Sequence, residues 1–198
     1  MSSEDAQTPE KPRLLTGDRP TGPLHLGHLV GTLRERVALQ DDHDVFLIVA
    51  DLHTLTTRPE REYTRRLPEH VRAVVLDLLS VGIDPERSTI YLQSGVPAVY
   101  DLAILLQMIT PAARLASVDS LGEMARVAGV PEERTSLGLL GYPVLQAADI
   151  LMARAQVIPV GADNVANVEI ARELAERFNR EYGEVFPAPR PHVSRTPR

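Results

Sequence analysis

Four short apolar runs, each followed by a stretch of helical periodicity, constrain this chain more than any other feature. Residues 44–50 read D-V-F-L-I-V-A, nearly continuous in apolar side chains, as a strand buried on both faces does. Residues 13–17, 88–93 and 156–160 are shorter runs of the same kind, the first ending in Gly17. Between them, Leu29, Val30, Leu33 and Val37 recur at helical spacing within 26–40, and Leu67, Val71, Val74 and Leu78 mark a helix closed by Gly82. Pro68 falls early in that helix. Apolar spacing predicts further helices over 99–116, 120–128, 136–154 and 163–182. Strand alternating with helix predicts an α/β fold with a parallel sheet, of the Rossmann-like doubly wound type.

The chain has 198 residues, enough for one domain with a real core. Residues 1–12 are polar and read as a disordered tail without the apolar core of a signal peptide. Residues 13–186 read as the folded domain. Residues 187–198 hold four prolines and four Arg or His, so they read as a tail leading to something further. No apolar run is long enough to span a bilayer, which predicts no membrane partner and a cytoplasmic location by default. The absence of cysteine excludes disulfides and Cys-ligated metals. A net charge of −6 argues against an overall basic surface for nucleic acid, although a sum does not exclude a local patch.

Polar residues that interrupt this pattern are the site candidates, because ligands in open α/β sheets bind beyond the carboxyl ends of strands. After the first strand comes T-G-D-R-P-T-G-P-L-H-L-G-H, in which His25 and His28 stand three apart at the start of a helix and share a face. A helix start favours phosphate, and imidazole N–H groups can bond phosphate oxygens. A Gly/Pro turn with two surface histidines fits the same residues equally well. After the second strand come Asp51 and His53, which read either as site residues or as a cap and a loop residue. Within the otherwise apolar segment 141–151, Tyr142, Gln146 and Asp149 are spaced to share one helix face. A carboxylate there must be paired or face a cavity, whether with the backbone or with a ligand. The fourth strand runs into Gly161, Ala162 and Asp163, which fit a ribose-binding turn or an ordinary N-cap.

Taken together these segments resemble the class I aminoacyl-tRNA synthetases. His25-Leu26-Gly27-His28 matches their HIGH signature, and the stretch before it is similar to the tryptophanyl and tyrosyl branch. Y-P-V-L-Q-A-A-D-I resembles the amino-acid-binding helix of tryptophanyl-tRNA synthetases, and I-P-V-G-A-D-N with the helix after it is similar to theirs. The resemblance covers about 13–189. It implies activation of L-tryptophan by ATP, with Mg²⁺ carried by the nucleotide and no protein-bound metal, followed by transfer to tRNA(Trp). It implies that His25 and His28 act catalytically on the phosphates. Arg19, Pro20, Thr21, Gly27, Gly161, Ala162 and Asp163 would hold ATP, and Leu15, His53, Tyr142, Gln146 and Asp149 would line the tryptophan pocket. By the same resemblance Asp149 accepts the indole N–H, which suits a side chain with one donor and no acceptor.

Four positions depart from the usual pattern: His28 for Asn, Gln146 for Met, Ala162 for an acid and Asn164 for Gln. The family's KMSKS loop would lie past residue 189, and this chain has no lysine after Lys11. The expectation is therefore a chain that stops before that loop and has weak or partial activity alone. A non-catalytic module holding tryptophan or an adenine nucleotide, and a tyrosine-activating homologue, stay open. A small-molecule nucleotidyltransferase fits less well, since such enzymes lack the Y-P helix. Family enzymes are dimers, which implies a homodimer; the apolar stretch 99–116 reads equally as its interface or as core.

Overall fold

The computed structural model describes residues 11–118, 122, 125–126, 129, 131, 135–161 and 164–193. Five parallel strands form one sheet in the order β3-β2-β1-β4-β5. They are β1 (Arg13–Asp18), β2 (Asp44–Val49), β3 (Ser88–Leu92), β4 (Val157–Val160) and β5 (Arg190–Val193). The chain lays down β1 to β3 in one direction and then returns to the other side of β1 for β4 and β5. That reversal opens a crevice at the carboxyl ends of β1 and β4, where doubly wound sheets bind ligands.

Both faces of the sheet are covered around β2, which is why that strand is apolar nearly throughout. Leu14, Val45, Leu47 and Val49 pack against Leu33, Val74 and Leu78 on one side. Leu15 and Ile48 belong to the other layer, with Val99, Leu106, Val144, Leu151 and Ile170. The two strands at the centre approach closely at Gly17, where an added Cβ would stand 2.1 Å from the Ile48 carbonyl oxygen. Only glycine fits there.

Among the described residues the helices include α1 (Leu26–His28), α2 (Arg34–Leu39), α3 (Asp51–Leu55), α4 (Arg61–Ser80), α5 (Ala98–Met108), α6 (Ala112–Ala116), α7 (Leu137–Leu140), α8 (Tyr142–Met152) and α9 (Val165–Tyr182). A π-helical turn, Leu29–Leu33, joins α1 to α2, so the expected 26–40 helix is continuous but locally widened. The expected 99–116 helix is two, because Pro111 takes an extended conformation at φ −65°, ψ 128°. Gly141 likewise divides 136–154, with Pro143 in the first turn of α8. Pro68 lies two turns inside α4 rather than in its first turn.

One expectation about the margins changes. Residues 190–193, read as tail, form β5, paired to β4 from Val157↔Arg190 to Val160↔Val193. Its composition hides it: one apolar residue in four gives no alternation, and Pro191 is tolerated because the strand is at an edge. The 120–128 segment falls largely outside the described residues, as do Ala162 and Asp163; the last helix is described from Val165.

Candidate active site

A cleft of about 1220 Å³ lies over the switch point between β1 and β4. It is larger than a site for one small ligand needs, and two ligands side by side would fill it. Leu15, Arg19, His25, Gly27, His28, His53, Tyr142, Gln146, Asp149 and Gly161 all line it, drawn from parts of the chain as far apart as β1 and β4. Pro20 and Thr21 do not. Pro20 is buried with its carbonyl accepting from Tyr63 Oη at 3.2 Å, and Thr21 is exposed. The turn is drawn toward α4 at that point, which carries both residues away from the cleft.

The two histidines cap their own helix. His25 Nδ1 accepts the Gly27 N–H at 3.1 Å, and His28 Nδ1 accepts the His25 N–H at 3.2 Å. Each ring, as a neutral imidazole, is thereby left with Nε2–H as its donor. The rings lie 4.1 Å apart, centroid to centroid. Burial, and after it the neighbouring His25, holds the His28 imidazole below its ordinary pKa. A Cβ on Gly27 would come within 2.8 Å of the His25 ring, so the glycine permits this cap. Beside them Arg36 pairs with Asp18 and also donates to the Gly17 carbonyl at 3.3 Å. Both side chains of the pair are largely buried and line the cleft. This ion pair was not among the expectations, and one Arg and one Asp eighteen residues apart offer no local pattern by which to find it.

The deep end of the cleft is a buried polar cluster. Asp149 Oδ2 accepts from His53 Nε2 at 3.1 Å and from Gln93 Nε2 at 2.8 Å. Its other oxygen, Oδ1, is buried and has no hydrogen-bond partner. Burial raises the Asp149 carboxyl above its ordinary pKa, against the lowering pull of His53 and Gln93. Tyr142 packs tilted against His53, with ring centroids 4.2 Å apart and planes at 53°. Gln146, between Tyr142 and Asp149 on α8, has a buried Oε1 that is also unpartnered. An unmet buried acceptor costs on the order of 1–3 kcal/mol, so these two oxygens mark where a donor-bearing ligand would gain most.

Gln93 holds the cluster together, and the sequence reading passed over it. Its Oε1 accepts the N–H groups of Leu52 at 3.1 Å and His53 at 3.3 Å while its Nε2 donates to Asp149. A polar residue at the carboxyl end of a parallel strand is the signal that would have found it. Asp51, the other candidate at the end of β2, is a tie within the fold: its Oδ1 accepts the Ser94 N–H at 3.0 Å.

Fold and cleft together define a nucleotide-binding α/β domain of Rossmann type. A family model described as tRNA synthetases class I (W and Y) matches residues 7–196, and the chain belongs to that family. It is 53% identical over 182 residues to a tryptophan–tRNA ligase of Chlamydia caviae, covering 91% of this chain and 53% of that protein. It is 56% identical to the tryptophan–tRNA ligase of Treponema pallidum, covering 92% and 53% respectively. A crystal structure of tryptophanyl-tRNA synthetase from Campylobacter jejuni, complexed with ADP and tryptophan, superposes with a TM-score of 0.85 at 36% identity, over 92% of this chain and 55% of that one. The chain spans about half the length of the curated relatives it matches. Among the described residues, no helix is long and apolar enough to cross a membrane, and no group of three His, Asp or Glu converges to hold a metal ion.

Proposed function

We propose that this domain activates L-tryptophan with ATP, as the first half-reaction of charging tRNA(Trp). The observation that carries the reading is Asp149 Oδ1, a buried acceptor without a partner on a residue that lines the cleft. An indole N–H is a donor with no acceptor of its own, and it would satisfy that oxygen. His53, Tyr142 and Leu15 would flank the ring, and Gln146 Oε1 would take a second donor.

At the other end His25 and His28 would donate Nε2–H to the phosphates, with Arg19 beside them. The tryptophan carboxylate attacks the α-phosphorus, giving tryptophanyl-adenylate and pyrophosphate. The protein's work is placement and charge stabilisation. Gly161, which lines the cleft, would let the nucleoside approach, and Ala162 and Asp163, outside the described residues, are assigned to ATP by the resemblance alone. Mg²⁺ would arrive on ATP as part of the substrate. A second copy of the chain would dock on the outer face of α5, where Tyr100, Ile104, Leu105 and Met108 are 40%, 53%, 56% and 76% exposed. The family's translation role makes the cytoplasm the expected location.

Calorimetry with L-tryptophan, 1-methyltryptophan and L-tyrosine tests the reading directly. Tryptophan binding that is lost on methylating the indole nitrogen supports it; equal affinity for the two sinks it. Tryptophan-dependent ATP–pyrophosphate exchange then separates a catalyst from a domain that only binds.

A further inference from the structure

Helix α4 carries charge of the wrong sign for this chain. Residues 58–72 hold five arginines and three glutamates, in a protein of net charge −6. Arg61, Arg65 and Arg72 fall within about 40° of one another around the helix and span about 16 Å along it. All three are exposed, and their side chains make no hydrogen bond or ion pair among the described residues. Elsewhere Arg13, Arg87, Arg114, Arg172 and Arg180 each pair with a carboxylate. Glu62 and Glu69 lie to one side of the stripe, and Glu69 pairs only loosely with Arg66, at 3.9 Å. A row of aligned, exposed guanidinium groups without carboxylate partners is open to an anion, and arginine is the side chain best shaped for phosphate.

The stripe starts four residues after Thr57, which is tied to the cleft wall. Arg19 of the cleft wall donates to Thr57 Oγ1 at 3.4 Å, and Tyr63, in the first turn of α4, donates at 3.2 Å to the carbonyl of Pro20, which follows Arg19 but does not itself line the cleft. Exposed Arg58 lies between Thr57 and the helix. A polyanion lying along α4 would therefore have one end at the cleft.

We propose that this face of α4 is a landing surface for the phosphate backbone of the RNA whose 3′ end is charged in the cleft, an inference that rests on the function proposed above. The stem of the RNA lies along Arg61, Arg65 and Arg72, and its unpaired end passes Arg58 and Arg19. The contact is to backbone phosphates, so it positions the RNA without reading its bases.

The test is fluorescence anisotropy with a labelled tRNA(Trp) transcript, using the wild type, the triple variant Arg61→Gln, Arg65→Gln, Arg72→Gln, and the same three positions changed to Lys. The Gln variant should bind at least 10-fold more weakly. The slope of log affinity against log salt should fall by about two, since each lost phosphate contact removes about 0.7–0.9. The Lys variant should keep most of the affinity and the slope. Equal binding by the Gln variant, equal loss in the Lys variant, or no RNA binding by the wild type overturns the surface. Displacement of the transcript by polyglutamate at equal charge also overturns it, in favour of an acidic protein. Tryptophan calorimetry on the same three proteins reports separately on the cleft: wild type that binds tryptophan but no RNA loses only the surface, and wild type that binds RNA through these arginines but no tryptophan loses only the pocket reading.

Discussion

Gln93 and Asp149, 56 positions apart in the chain, meet in the floor of the cleft, with Gln93 Nε2 donating to Asp149 Oδ2 at 2.8 Å. The contact occupies one carboxylate oxygen together with His53 and leaves Oδ1 without a partner. Because Gln93 is itself held by the backbone of α3, it fixes the carboxylate's orientation as well as its neighbourhood.

Replacing Gln93 by Leu removes that donor and leaves two backbone N–H groups unmet. Tryptophan affinity should fall about 10- to 100-fold, corresponding to roughly 1.5–3 kcal/mol for a hydrogen bond to a charged group. ATP affinity should hold within about 2-fold, since the phosphate end of the cleft is untouched. Calorimetric titration of each ligand separately checks the split; a parallel loss of both would mean that Gln93 supports the fold and nothing more specific.

Tryptophan affinity should also depend on pH through Asp149. The ionised carboxylate is the stronger acceptor for an indole N–H, and burial raises this carboxyl above its ordinary value. Affinity should therefore be full above the raised value and decline as the pH falls through it, beginning at a higher pH than an exposed aspartate would. The same shift makes the buried charge a cost to the fold: Asp149 favours the folded state most below its unfolded pKa, and that advantage is lost as the pH rises through the folded one. Asp149→Asn should bind more weakly at neutral pH and show a flat profile in the acid range. A wild-type profile as flat as the variant's would contradict the assignment.

The His28 imidazole should titrate below an exposed histidine when followed by NMR, because burial and the His25 ring both disfavour its cation. Its folded pKa lies under the unfolded one, so its contribution to stability is present above the unfolded value and is lost as the pH falls through the folded one. Added ATP should move the titration upward, since phosphate favours the protonated ring. An unchanged titration on saturation with ATP would place the phosphates elsewhere.

Gly17→Ala puts a methyl group 2.1 Å from a main-chain oxygen that cannot move without parting β1 from β2. Overpacking of this kind costs about 3 kcal/mol, and the backbone origin of the clash leaves little room to relax. Thermal unfolding should show a drop in Tm of about 6–12 °C for a domain of this size. A drop of less than about 2 °C would mean that the strands part easily there.

Parts of the site were legible because they are local. His25 and His28 are one helical turn apart, and Tyr142, Gln146 and Asp149 share a face of α8, so spacing alone brought each set together. Gln93 was passed over, although its place at the end of a strand was visible, because one glutamine carries no motif. Strand β5 was misread as tail, since an edge strand needs no apolar alternation. The arginines of α4 are plain in the sequence, but that Arg61, Arg65 and Arg72 make no ion pair among the described residues is not.

The sequence by itself determined the alternation of strand and helix, and with it a parallel sheet covered on both faces, because apolar period follows directly from which faces must leave water. It also determined which turns carry histidines, glycines and a carboxylate. The tertiary structure alone decided that Asp149 would meet both His53 and Gln93, that Arg36 would neutralise Asp18 in the cleft wall, and that Arg19 of that wall would be tied to Thr57, just ahead of α4. Those contacts join segments far apart in the chain. Strand order and helix packing set them, and no local preference of the residues involved encodes either.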